Sequence, residues 1–151
     1  MSDLEELIRV LPMVGAESSI LDDTNIAHVV AHGHHILSHR TVPGLRVNME
    51  ETPDAIIGKM IIDAGVTRAQ PSHVCFGLAH PTGVQQIKID VQVNEGAQAR
   101  VLSHCLFPFA KAAEHRMQAV MTIGPGASLT YTEGHYHGPH GGMQVLPHAT
   151  I

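Results

Sequence analysis

A chain of 151 residues with 44% hydrophobic side chains is long enough to bury its own core without a disulfide framework. Its formal charge of −5 arises in residues 1–23, where Asp3, Glu5, Glu6, Glu17, Asp22 and Asp23 face only Arg9. The rest is neutral and has no basic stripe, which excludes nucleic acid as the main partner. The start, MSDLEELIRV, has no basic n-region, and no stretch approaches ~18 apolar residues, so neither a signal peptide nor a membrane span is expected. A cytoplasmic, reducing compartment follows, in which Cys75 and Cys105 are thiols or metal ligands.

Residues 1–15 read as a short helix. Ser2 caps it and Glu5 completes a capping box, while Leu4, Leu7, Ile8 and Leu11 share one face and Pro12 and Gly15 end it. Residues 16–151 read as a single β-repeat domain. Within it, Ile26 to Ile36 is strand-like around Gly33, and Pro43-Gly44 marks a turn. Residues 16–55 form either a further coil of the repeat or a separate cap.

From residue 56 the pattern is regular. Ile87 to Val93 alternates apolar and polar, Asn94-Glu95-Gly96 interrupts, and Ala97 to Val101 resumes. Met117 to Ile123, Gly124-Pro125-Gly126 and Ala127 to Tyr131 repeat this design at an offset of 30 residues. An earlier copy begins at Ile62 with Gly65, and Ser72-His73-Val74-Cys75-Phe76 mirrors Ser103-His104-Cys105-Leu106-Phe107. Such a period means stacked units that bury their apolar faces against their neighbours. No helical segment separates the strands, so the stack is all-β, either a β-helix or a two-sheet sandwich. With 3% aromatics and no Trp, its core is built from Val, Ile, Leu, Met and Ala.

The residues then become familiar. PSHVCFGLAHPTGVQQIKIDVQVNEGAQARVLSHC and MQAVMTIGPGASLTYTEGHYHG, within residues 65–137, resemble the SufB/SufD family of iron–sulfur assembly scaffolds. The resemblance implies a right-handed parallel β-helix and a non-enzymatic role in iron–sulfur cluster assembly. It also implies work beside a dedicated ATPase of the SUF type. The family's ATPase-docking helices lie after its β-helix and have no counterpart before Ile151, which leaves that docking without a visible segment. A last coil left open calls for a partner, and a homo-oligomer is expected.

Two constellations carry chemistry. Glu133, His135, His137 and His140 cluster on a strand and its following bend, where imidazoles at i and i+2 share a face; they read as a zinc or iron site, or as a solvated glycine-rich loop. His73, Cys75, His104 and Cys105 recur in successive repeats and would stack about 4.8 Å apart, close enough to hold iron or a nascent cluster. The phase of Cys105 with Ala97, Ala99 and Val101 also suits a plain core cysteine, whereas Cys75 is expected to face solvent. The dense His28, His32, His34, His35 and His39 reads as a polar stretch or a second metal patch. The alternative function is a metal-dependent, cupin-like enzyme using His135 and His137, but positions 138–144 hold no carboxylate to complete such a site.

Overall fold

The computed structural model describes residues 2–151. Helix α1 (Asp3–Val10) begins as expected: the Ser2 hydroxyl accepts from the Glu5 N–H while the Glu5 carboxylate takes the Ser2 N–H at 2.7 Å. A 3-10 turn over Leu11–Val14 follows, and Gly15 ends it at φ 75°, the left-handed conformation open to glycine.

Ten strands come next: β1 (His28–His32), β2 (His35–Arg40), β3 (Leu45–Glu51), β4 (Ile56–Ile62), β5 (Ser72–Gly77), β6 (Thr82–Val93), β7 (Gln98–Phe107), β8 (Ala112–Ile123), β9 (Ser128–His137) and β10 (Met143–Thr150). One sheet runs β2-β1-β5-β7-β9 and the other β10-β8-β6-β4-β3. From β4 onward the chain alternates between the sheets, and from β5 onward every new strand pairs in parallel with the one a coil earlier. The result is a β-solenoid of about three turns. This decides between the β-helix and the sandwich, and it also removes the cupin-like architecture, whose double-sheet strands run antiparallel.

Of residues 16–55, a 3-10 turn over Ser18–Leu21 comes first and the strands of residues 28–51 join the same stack. β1 is its first rung, parallel to β5, while β2 and β3 fold back antiparallel and close that end. Each later coil turns at a glycine: Gly65, Gly96 and Gly126 have φ of 72°, 69° and 67°, and their turns hydrogen-bond one above the next. A side chain at these positions would meet the Cβ penalty of the left-handed region, which is why the repeat shows in the sequence as glycine.

The interior between the sheets is apolar and almost without large rings. Val29, Val47, Ile56, Met60, Val74, Phe76, Ile87, Val91, Val101, Cys105, Phe107 and Met117 fill it. A second cluster lies on the outer face of the first sheet, where Leu7, Val10 and Leu11 of the helical segment cover Val30, Cys75 and Leu106. Gly77 permits that contact, since a Cβ there would stand 2.2 Å from a Leu7 methyl.

The helix is also pinned by a polar contact. His32 accepts the Ala79 N–H at Nε2, 2.9 Å, so its proton sits on Nδ1, which donates to the Asp3 carboxylate at 2.9 Å. His32→Ala is therefore expected to cost about 1–3 kcal/mol by orphaning the buried Ala79 N–H. It should also speed reaction of Cys75 with a thiol reagent in the native state. Unchanged stability and unchanged labelling would disprove the tether.

Candidate functional site

The inner face of the first sheet carries the chemistry. Along β7, Ala99, Val101, Ser103, Cys105 and Phe107 point between the sheets, and β9 lies beside it in strict register: Val101 with Tyr131, Ser103 with Glu133, Cys105 with His135, and Phe107 with His137. Strand alternation therefore puts Tyr131, Glu133 and His135 on the face of Cys105. One donor atom each from Cys105, Glu133 and His135 lies within 4.8 Å of the other two.

The three are held differently. The Glu133 carboxylate accepts from His135 Nε2 through one oxygen and from the Tyr131 hydroxyl, 2.7 Å, through the other. The bond from His135 is the main reason that Glu133 sits below the usual carboxylate range, with help from Tyr131 and against burial, which pushes it up. Burial and the bond to a carboxylate raise the Tyr131 phenol above its ordinary range, with the Ser103 contact opposing. Cys105 is fully buried, and desolvation first, then the Glu133 charge, pushes its thiol up to about 12. A metal must displace that proton to gain a thiolate ligand.

Behind this group stands a pair that the sequence reading passed over. His115 of β8 and Gln85 of β6 are both completely buried in the interior. The Gln85 amide nitrogen donates to the carbonyls of Gly33 and Gly77 at 2.9 Å each, and its oxygen meets His115 Nδ1 at 2.9 Å. His115 Nε2 faces Cys105 Sγ at 3.8 Å. Burial, reinforced by the nearby His135, holds the His115 imidazole down at about 4. Their one visible signal was alternation: Gln85 and His115 fall in phase with Ile87 and Met117, so polar residues stood at core positions.

The remaining candidates separate. His137 stays beside His135, ring centres 5.9 Å apart, and sets its edge against Phe107. His140 leaves the group: it lines a different pocket with Arg9, Met13, Phe109 and Tyr136.

The proposed stack of His73, Cys75, His104 and Cys105 divides across the sheet. The structural offset between β5 and β7 is 29 residues, not the 31 read from the Ser-His motif, so Cys75 pairs with His104 and Phe76 with Cys105. The two thiols lie on opposite faces and share no ion. Cys75 does not meet solvent either: the helix covers it to 1% exposure, and desolvation pushes its thiol up to about 12. His73 and His104 do meet, Nδ1 to Nε2 at 3.2 Å with stacked rings, on the outer face beside His28.

Two of the early histidines, His32 and His34, act as staples. His34 accepts from the Gln86 N–H at Nε2, 2.9 Å, and donates from Nδ1 to the Pro53 carbonyl at 3.1 Å. Asp3, His32 and His80 form a second group with metal-ligand spacing. Both nitrogens of His32 are already engaged in holding the helix, so that group reads as the tether described above.

The inner site opens at the far end of the solenoid. Glu133 and His135 are each 24% exposed at the side chain, whereas Cys105 and His115 behind them are sealed. A cavity of about 290 Å³, lined by Met117, Met121, Tyr131, Glu133, Pro147 and Ile151 among others, leads to Glu133. Among the described residues no helix is long and apolar enough to cross a membrane.

No family model matches the chain. Two curated archaeal proteins do, both named iron-sulfur cluster assembly SufBD family protein. The one from Methanocaldococcus jannaschii is 28% identical over 152 residues, spanning 97% of this chain and 48% of its own length. The one from Pyrococcus horikoshii is 25% identical over 136 residues, spanning 90% of this chain and 41% of its own. The resemblance read from residues 65–137 thus extends over nearly the whole chain, which spans less than half the length of these relatives.

Proposed function

We propose that this chain, similar over nearly all its length to SufBD iron–sulfur assembly proteins, serves in cluster assembly by holding iron at Cys105, Glu133 and His135. The observation that carries the reading is their convergence on one interior point from adjacent strands. A thiolate, an imidazole and a carboxylate together suit a borderline divalent metal such as ferrous iron. The role is that of a scaffold or carrier: iron enters past the partly exposed pair and is gripped by the buried sulfur. Tyr131 holds the carboxylate in place through its second oxygen.

Work through protein partners fits the same picture. A homo-oligomer is part of this reading, and sedimentation as a dimer at micromolar concentration is the expected result. A SUF-type ATPase is the further partner that the SufBD likeness suggests.

The test is anaerobic loading with ferrous iron, with and without sulfide, followed by metal analysis and the visible spectrum. Cys105→Ser and His135→Ala should each lose retained iron by tenfold or more, whereas Cys75→Ser should keep it. Equal retention by Cys105→Ser and the unaltered chain would refute the site.

A further inference from the structure

The interior pair Gln85 and His115 has no part in the three-residue group, yet it is aimed at it. The backbone carbonyls of Gly33 and Gly77 can only accept, so the group of Gln85 lying 2.9 Å from both must be its NH2. The Gln85 oxygen is then the atom turned to His115 Nδ1, and it too can only accept. His115 therefore carries its proton on Nδ1 and leaves a bare lone pair on Nε2. That lone pair points at Cys105 Sγ, 3.8 Å away.

We propose that His115 Nε2 is a fourth protein ligand beside Cys105, Glu133 and His135, aimed by Gln85, and that the four enclose a single divalent ion. The inference rests on the iron-holding reading above and names what completes that site. Donors around one tetrahedral ion with bonds of ~2.0–2.3 Å stand roughly 3.5 Å apart, and the His115–Cys105 separation is already of that size. His115 does not yet share mutual ligand spacing with Glu133 and His135 and closes on them when the ion enters. Imidazole ligands commonly donate their other N–H to a fixed acceptor that sets tautomer and ring orientation, and the Gln85 oxygen does this here. One ion fits the donor set better than a cluster. Clusters are held mainly by several thiolates, and the second cysteine of this chain lies across the sheet beneath the helix. Binding replaces a proton with metal: the Cys105 thiol proton leaves to solvent, His135 ligates as a neutral imidazole with its one N–H on the nitrogen that does not ligate, and the ion's oxidation state is unchanged.

The experiment is an anaerobic titration with Co2+ as the spectroscopic stand-in for ferrous iron, on the unaltered chain and on His115→Gln, Gln85→Leu, Cys105→Ser and His135→Ala. The unaltered chain should take one ion with a thiolate charge-transfer band and the strong visible bands of a four-coordinate centre. His115→Gln should keep the charge-transfer band but weaken binding by about tenfold or more and alter the visible bands. Gln85→Leu should weaken binding by roughly 10–100-fold with the thiolate band retained. Because a buried substitution can fail to fold, 15N NMR of the histidine rings in the Zn2+-loaded unaltered chain gives a direct second readout. His115 should show metal-bound Nε2 and protonated Nδ1. If binding needs Cys105 and His135 but His115 nitrogens do not move on loading, the fourth ligand is overturned while the three-residue site stands. If Cys105→Ser and His135→Ala bind like the unaltered chain, the site itself falls and this inference with it. A cluster built on one isolated chain through Cys105 would overturn the single-ion assignment.

Discussion

Lowering the pH from about 7.5 to about 5 is expected to cost the folded chain on the order of 2 kcal/mol through His73 alone. Burial first, then the neighbouring His104 and His28, holds His73 down at about 4, against about 6.5 for a free imidazole. Between those values the unfolded chain binds a proton that the native chain refuses, so stability rises with pH across the window. It is complete above about pH 6.5 and is lost progressively as the pH falls toward 4. His28, His32 and His104 are shifted down as well, each chiefly by burial, and act in the same direction. The outer face offers little relief, because His28 Nδ1 and His104 Nδ1 are buried without a partner. Denaturant unfolding at the two pH values measures the effect. His73→Leu should flatten the difference by about 2 kcal/mol, and a variant with the full pH dependence would reject the assignment.

Phe107→Ala is expected to remove about 3–5 kcal/mol, the usual cost of emptying a fully buried aromatic position. The ring is completely buried and stands 5.2 Å from the His115 ring and 5.8 Å from that of His137, with His135 at 6.4 Å. In a core with three phenylalanines in the whole chain, nothing large is at hand to fill the hole. The same cavity frees His115 and His135 to turn, so Co2+ binding should weaken as well. Ile56→Ala, in the first rung of the other sheet, supplies the comparison: a loss of about 2–5 kcal/mol without a change in metal affinity of the folded protein. Equal affinity in both variants would show that Phe107 supports the fold and not the site.

The 30-residue repeat, the capping box at Ser2 and Glu5, and the glycine turns were legible because each depends on local chemistry: alternation, a hydrogen bond three residues away, a left-handed backbone angle. The grouping of Glu133 with His135 came from the same two-residue period. Other features depended on neighbours. A repeat offset of 29 instead of 31 residues between β5 and β7 changes which side chains face each other, and no local pattern records it. Cys75 had the phase of an outward residue, and outward it is; only the helix docked at Gly77 makes that position interior. Cys105 looked like a core cysteine for a sound reason, yet the core at that point contains His115, Glu133 and His135. Sequence by itself determined the period of the stack, because steric and hydrogen-bonding rules act within a few residues. Tertiary structure alone brought the candidate residues together, because Cys105 comes from β7, Glu133 and His135 from β9, and His115 and Gln85 from β8 and β6, and they meet only once parallel register carries each strand beside the next.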